Sequence, residues 1–461
     1  MNAPSPEYWG PRLVIAPPNS SLTSTRVAVP AGAGKRVFSA CGNLRRRIRL
    51  SCRARIGMAG SFVAWVDYSA AEQERMREAI AMFEQKETRD ELGIGAIRDA
   101  LADLLFPGTS TIQTRLRYFI IVPWVYRELE RRRGVTSATI QQTVRAREIA
   151  LIEPLTKSEG GGVFGAQSGR TLQRLPSNVY WNGLRTWGIF RLPWSQDEYH
   201  QHWDALRDRN QNIVIADDSG IAPDLVRAWD TFPSPPSQDW GDAITLDVPR
   251  SEASYLQQRM ETTHGSLLAH FAADVAAAEI DAEMPWDAAD RLPVKLARLV
   301  EQARAFSGVM HGAAWLYNLV LCRSSKLAAH RERIAELEAS LTEWAAAAAP
   351  VFESWQPGEL WALLEERAVA VPAQRPDRRF VEDWFALVRR REPRALANDR
   401  DAAHLIVERE RRVKGAKRAR YDNPQALARW AGSGTAPFDY RWFRVRGLLR
   451  DLYAGLNRKP S

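Results

Sequence analysis

The residues best suited to chemistry lie between Phe106 and Tyr118, where a glycine precedes three hydroxyl side chains, a glutamine and two arginines. The candidate anion ligands are Thr109, Ser110, Thr111, Gln113, Arg115 and Arg117. A helix beginning at these hydroxyls would offer free backbone N–H groups and the positive end of its dipole to a phosphate. The alternative is an ordinary helix cap whose arginines pair with Asp99, Asp103 or Glu128.

A second candidate is a polar row on the long apolar segment 293–322. At the helical rotation of about 100° per residue, one face carries Arg304, Ser307, His311, Trp315, Asn318 and Cys322. A histidine beside a hydroxyl and an amide suits general-base catalysis, so Ser307, His311 and Asn318 are candidate catalytic residues. The alternative is a buried hydrogen-bond network or a close contact between helices.

Acidic residues and histidines also cluster in one short stretch, with Asp197, Glu198, His200, His202 and Asp204. On a helix His200 and His202 point about 160° apart, so they cannot share a metal ion there. Acids in a first turn also suit the helix dipole. Phosphate-loop, zinc-helix and serine-elbow motifs do not occur either. The sequence therefore predicts neither a metal nor a cofactor.

The C-terminal region carries seven basic residues within 409–420, followed by aromatic residues interleaved with arginines in 440–446. The candidate nucleic-acid ligands are Arg411, Arg412, Lys414, Lys417, Arg418, Arg420, Arg441, Trp442 and Arg444. Such a surface suits a phosphate backbone or stacking with a single strand. The alternative is a basic segment that docks on the acidic body of its own chain.

Charge is placed unevenly along the 461 residues, whose net charge is +9. Residues 1–57 carry +9, residues 58–404 carry −9 and residues 405–461 carry +9. The first segment has no helical or strand period and is predicted to be a disordered basic leader. It resembles a transit peptide, but we favour translation that begins at Met58. A polyanion partner then depends on residues 405–461 alone.

Composition excludes several classes of protein. The three cysteines, Cys41, Cys52 and Cys322, are too few for a disulfide framework and indicate a reduced, cytoplasmic setting. The purely apolar runs are shorter than the roughly 20 residues that span a bilayer, so no membrane association is expected. With 45% hydrophobic and 26% charged residues, the chain has the composition of a globular protein.

Hydrophobic periodicity predicts a mainly α, multi-helical protein of two closely joined helical parts with a few short strands. The first part is a Trp-rich domain, residues 58–232, and the second is residues 240–461 with the basic tail 405–461. The proline-rich stretch between them is the predicted boundary. Predicted elements include a helix beginning at Thr109–Thr111, a capping box from Ser195 to Glu198 and a strand at 213–216.

Several motifs together resemble a known bacterial family, the "domain of unknown function 6361" proteins. They are Trp65–Ser69, Asp90–Gly95, Leu105–Arg115, Leu175–Trp181, Trp187–Gly188, His311–Asn318 and Asp439–Trp442. The resemblance runs from about Ser61 to the last helix. Family members typically begin at the Trp65–Ser69 motif, so residues 1–57 depart from the pattern. The resemblance implies no known fold, activity or catalytic residues.

We therefore expect a non-enzymatic nucleic-acid-associated or assembly subunit of a bacterial multi-protein system. The resemblance suggests protein partners from the same gene cluster, with a role in phage defence. The alternative is a hydrolase or transferase of unrecognised type with its site around His311.

Overall fold

The computed structural model describes residues 90–158, 161–208, 227–237, 239–241, 244–274, 279–288, 291–369, 371–372 and 374–458, which belong to one compact unit, Tyr68–Ser461. Its α-helices are α1 Gly95–Leu105, α2 Tyr118–Arg131, α3 Ile140–Ala150, α4 Ile152–Ser158, α5 Pro176–Thr186, α6 Gln196–Gln201, α7 Arg250–Glu261, α8 Leu267–Ala273, α9 Val294–Ser324, α10 Ala328–Glu332, α11 Ile334–Ala347, α12 Ala349–Ser354, α13 Pro357–Glu366, α14 Pro376–Val388, α15 Arg400–Lys414, α16 Pro424–Ala428 and α17 Trp442–Leu456.

The predicted mainly α, multi-helical class is confirmed. Within the described ranges the nearest approach to a sheet is an isolated antiparallel bridge between Phe190 and Trp229. The predicted leader 1–57 and the strand at 213–216 lie outside the described residues. The division at 232–240 stays a prediction, and contacts such as the ion pair of Arg117 with Glu252 join its two sides.

The centre of the fold is α9, a 31-residue helix that contacts α1 and six helices of the C-terminal half. Apolar residues lie on most of its faces, so helices pack around it on several sides. By length and composition it is apolar enough to cross a membrane, but 78% of its most apolar stretch is buried inside the protein. Burial of this kind is typical of a core helix.

Local capping residues fix several helix starts, as their side chains predict. The Asp90 carboxylate accepts hydrogen bonds from the backbone N–H groups of Ile94 and Gly95, at 2.8 and 2.6 Å, where α1 begins. The capping box predicted before α6 is confirmed, because Ser195 and Glu198 each accept the other's backbone N–H. These contacts satisfy amides that the helix itself leaves free.

The helix start predicted at Thr109–Thr111 is wrong, because α2 begins at Tyr118. The residues before it form turns in which tertiary contacts take the place of helical hydrogen bonds. The Tyr180 hydroxyl accepts hydrogen bonds from the backbone N–H groups of Thr114 and Arg115. Gly108, with φ of +78°, lies so close to the indole of Trp187 that a Cβ there would collide. These tertiary contacts therefore keep residues 109–117 out of the helix, and α2 begins only at Tyr118.

Candidate nucleic-acid interface

The two arginines of the candidate anion site are already paired with carboxylates. Arg115 Nε lies 3.1 and 3.0 Å from the carboxylate oxygens of Asp451. Arg117 forms a buried, two-point ion pair with Glu252, at 2.7 Å for both hydrogen bonds. Neither partner is one that the sequence suggested. An anion at this position would have to displace a carboxylate from each guanidinium.

The remaining candidate anion ligands shape the turn itself. Thr109 Oγ1 donates to the Phe106 carbonyl at 2.7 Å. Gln113 bridges the turn, accepting from the Ser110 N–H and donating to the Gly108 carbonyl. The Ser110 hydroxyl is buried without a hydrogen-bond partner in the described part of the chain. The structure thus brings the six residues together as a structural turn.

The polar row on α9 binds segment 430–440, which runs along this helix in the opposite direction. Ser307 Oγ donates to the Phe438 carbonyl at 3.1 Å. The Asn318 side chain accepts from the Ser433 N–H at 2.9 Å and donates to the carbonyl one turn earlier. The neighbouring Tyr440 hydroxyl donates to the Ala303 carbonyl at 2.7 Å. The row therefore satisfies backbone groups of a segment that forms no helix or strand.

His311 lies in the same row but does not form a catalytic pair with Ser307. Burial lowers the pKa of His311, against an opposing hydrogen bond with the backbone of Thr435, so its imidazole is neutral at pH 7. Its Nε2 atom is buried and lacks a hydrogen-bond partner among the described residues. The Ser307 hydroxyl donates its hydrogen bond to a carbonyl and not to a base, so it is not activated as a nucleophile.

Part of the basic segment is neutralised by acidic residues of its own chain. Lys414 lies 2.6 Å from Glu91 and 2.8 Å from Glu410, and Arg420 lies 2.6 Å from the same Glu91 oxygen. The Tyr317 hydroxyl donates to Glu410 at 2.7 Å in the centre of this cluster. Burial raises the pKa of Glu91, but the hydrogen bond from Arg420 and the charge of Lys414 outweigh it and lower the net pKa. Both carboxylates stay ionised and hold the cations.

The aromatic-basic stretch at 440–446 is also engaged within the protein. Trp442 is fully buried and donates its indole N–H to the Ala282 carbonyl at 2.9 Å. Arg441 pairs with Asp103 at 2.6 Å and also donates to the Thr109 carbonyl, while Arg444 donates to the carbonyl of Thr111. These arginines hold the 109–111 turn, so the two candidate binding sites contact each other.

Three cations of the basic segment remain open to solvent. Arg412, Lys417 and Arg418 are exposed, and no acidic side chain in the described ranges forms an ion pair with any of them. Arg412 lies in the last turn of α15, and Lys417 and Arg418 lie in the turn that follows Gly415. Cations at a helix C-terminus complement its dipole, which stabilises them modestly and leaves their charge accessible.

Sequence reasoning missed the aromatic residue beside these cations. Tyr421 is 41% exposed, and the guanidinium carbon of Arg411 lies 5.7 Å from the centre of its ring. Its position directly after the basic run was the available signal. Arg411 itself is paired with Asp422 at 2.6 Å and with Glu408 at 2.6 Å, so its charge is neutralised.

The acidic and histidine cluster at 197–204 is dispersed in the structure. Glu198 caps α6, Asp204 accepts from the Ser137 hydroxyl at 2.6 Å, and His202 stacks on Trp194. Across the described residues, no group of three or more histidine, cysteine or acidic side chains comes together as a metal site.

His200 instead joins a buried polar network in the Trp-rich region. Its Nε2 atom lies 2.8 Å from the Tyr126 hydroxyl, and the Gln196 amide donates to that hydroxyl at 2.7 Å. Nearby, the carboxyl group of Glu148 accepts from the N–H and the hydroxyl of Ser177, both at 2.9 Å. Burial raises the pKa of Glu148 to about 8 despite the hydrogen bonds from Ser177.

This network predicts a pH-dependent stability that Glu148→Gln should reduce. Glu148 ionises near pH 4.5 in the unfolded chain and near pH 8 in the folded protein. The folded state binds more protons between these values, so stability falls as pH rises through them. Burial lowers the pKa of His200 from 6.5 to about 4, which acts oppositely and only below pH 6.5.

We expect the wild-type protein to lose about 1–2 kcal/mol of unfolding free energy between pH 6.5 and 8, and Glu148→Gln to lose less. Urea unfolding followed by tryptophan fluorescence measures both slopes. Glu153→Gln, at an exposed helix position, is the control and should keep the wild-type slope. Identical slopes for wild type and Glu148→Gln would contradict the assignment.

The fold and this surface define an all-α, multi-helical protein whose basic C-terminal segment is bound in part to acidic residues of its own chain and in part open to solvent. A model of a family of unknown function (DUF6361) matches residues 60–454, and the chain belongs to that family. The family predicted from the motifs is thereby confirmed. No match was found among curated proteins or among solved structures.

Proposed function

We propose that this protein is a non-enzymatic nucleic-acid-associated subunit that contacts phosphates through Arg412, Lys417 and Arg418. The observation that supports the proposal is the accessibility of these three cations beside neighbours held in ion pairs. Phosphate contacts release counterions from the nucleic acid, and a cation already neutralised by a carboxylate contributes little to that release. The three open cations therefore carry the electrostatic part of binding.

The alternative function, a hydrolase or transferase around His311, has less support. Its favourable feature is the buried Nε2 atom of His311, for which the described residues supply no partner. Ser307 and Asn318 are hydrogen-bonded to the 430–440 segment, so that segment would have to leave before either could meet a substrate. The non-enzymatic role needs no such rearrangement.

The setting of the protein is part of the same proposal. We place it in the cytoplasm, where it would assemble with proteins encoded in the same gene cluster and act in phage defence. Purification of the full-length protein from its native host, with bound proteins identified by mass spectrometry, tests this setting. Recovery of the protein without reproducible partners would count against an assembly role.

The triple variant Arg412→Ala, Lys417→Ala and Arg418→Ala should flatten the salt dependence of nucleic-acid binding. Each phosphate contact on a single strand contributes about 0.7 to the slope of log K against log salt, so the slope should drop by about 2. Fluorescence anisotropy with a labelled oligonucleotide, titrated in about 50 to 200 mM salt, measures it.

A second triple variant with the same change in net charge separates local contacts from overall charge. Arg131, Arg132 and Arg133 are exposed at the end of α2, and their replacement by alanine also removes three positive charges. We expect that variant to keep the wild-type slope. Equal slopes for the 412–418 triple variant and the wild type would rule out the proposed contacts.

A further inference from the structure

We infer that the nucleic acid bound at this surface is single-stranded and places an unstacked base on the ring of Tyr421. This inference rests on the proposed function, because it specifies the class of nucleic acid taken by the same surface. It adds a contact that the basic residues alone do not supply.

The ring of Tyr421 is exposed while its backbone is held in place. Its side chain is 41% exposed, unlike most aromatic residues of this protein. Its backbone N–H donates to the buried carboxylate of Glu410 at 3.2 Å, and the preceding residue, Arg420, donates its own N–H to Glu410 at 3.1 Å. Two hydrogen bonds to one buried group fix the turn that presents the ring.

Arg411 also helps to fix the ring. Its guanidinium donates two hydrogen bonds to Asp422, both at 2.6 Å, and a third to Glu408 at 2.6 Å. Held in this way, it lies over the Tyr421 ring with its central carbon 5.7 Å from the ring centre. A ring fixed before binding loses little conformational entropy when a base stacks on it.

Two of the three open cations belong to the same short turn as the ring, and the third lies at the end of α15 just before it. Arg418 Nε donates to the Lys414 carbonyl at 2.9 Å, which folds the turn back on the end of α15. The Asn423 amide donates to the Lys417 carbonyl at 3.0 Å and closes the turn beyond Tyr421. Phosphate-binding cations and a stacking ring thus share one rigid segment, the combination that single-strand-binding surfaces use.

A duplex cannot use this ring without a cost. Its bases are stacked on each other inside the helix, and extracting one costs a few kcal/mol. A single strand offers the face of any base, so stacking works with any sequence. The three cations would attract both forms, but only the single strand would gain the additional contact with Tyr421.

The test compares Tyr421→Ala, Tyr421→Phe and Phe443→Ala in the full-length protein. Phe443 is a matched control, because it is also 41% exposed and has an arginine, Arg444, 4.9 Å from its ring centre. Anisotropy is measured with labelled oligo(dT), oligo(U) and a duplex of equal length. Circular dichroism confirms that each variant keeps its helical fold.

We expect the wild-type protein to bind single strands more tightly than the duplex, with Tyr421→Ala weakening its preferred single strand roughly 5- to 100-fold. Tyr421→Phe keeps the ring and should bind as the wild type does, and Phe443→Ala should have no effect. The oligo(dT) and oligo(U) arms show which single strand the protein prefers. Duplex affinity should be unchanged by Tyr421→Ala.

The same measurements distinguish a failure of the proposed function from a failure of the stacking role alone. If the wild-type protein binds neither single strands nor duplex, the proposed function is wrong and this inference falls with it. If nucleic acid binds but Tyr421→Ala leaves single-strand affinity unchanged, the stacking role alone is wrong. An effect of Phe443→Ala in place of Tyr421→Ala would move the surface to the 440–446 stretch and overturn the inference.

Discussion

Replacing Arg117 with methionine should lower the free energy of unfolding by about 3–5 kcal/mol. Arg117 is 6% exposed and donates two hydrogen bonds to the buried carboxylate of Glu252. A third goes to the Thr245 carbonyl at 2.8 Å. Methionine fills similar space without charge or donors, so the substitution removes the cation that compensates the buried Glu252 carboxylate. The cost of that desolvated charge dominates the effect.

Urea unfolding of three further variants tests whether the loss comes from the buried ion pair. Arg127→Met removes an exposed pair with Glu130, 3.0 Å apart, and should cost less than about 1 kcal/mol. The double variant Arg117→Met, Glu252→Met removes both charges and should recover much of the loss, since it leaves no buried charge behind. Glu252→Met alone completes the cycle. A loss for Arg117→Met no larger than that for Arg127→Met would contradict the role assigned to this ion pair.

Gly312→Ala should lower the free energy of unfolding by about 1–3 kcal/mol, although alanine is the better helix former. A Cβ at Gly312 would lie 2.1 Å from Trp344 Cη2, far inside van der Waals contact. The indole cannot move away easily, because its N–H donates to the Gly308 carbonyl at 2.7 Å. The helices α9 and α11 would therefore have to separate or the ring would lose its hydrogen bond.

Gly308 is the matched control on the same helix, one turn earlier. A Cβ at Gly308 has no atom of another element within 4 Å, so Gly308→Ala should be neutral or stabilising by up to about 1 kcal/mol. Adding Trp344→Phe to Gly312→Ala makes room for the methyl group and should restore part of the loss. Thermal unfolding compares the variants. If Gly312→Ala is as stable as Gly308→Ala, close packing at Gly312 is not what holds α9 and α11 together.

Elements with strong local signals follow from the sequence. The apolar segment 293–322 predicts a long buried helix, and α9 spans Val294–Ser324. The Ser195 capping box is also where a short-range pattern places it. These features depend on contacts within four or five residues along the chain, which propensity and capping rules describe.

The turn at 109–111 shows why other elements could not be predicted from the sequence. Its hydroxyls and glycine match a helix start. The Tyr180 hydroxyl, however, accepts hydrogen bonds from the backbone N–H groups of Thr114 and Arg115, before the helix begins. Arg441, from the far end of the chain, binds the carbonyl of Thr109. No local pattern records a partner so distant in sequence.

By itself, the sequence determined the helical class, the family and the separation of charge into an acidic body and a basic tail. Only the tertiary structure decided which tail charges are available. Glu91 and Glu410 neutralise Lys414 and Arg420, while Arg412 and its exposed neighbours stay open. The physical reason is that net charge is a property of composition, whereas ion pairing needs atoms within about 4 Å, and only folding brings residues from distant parts of the chain that close.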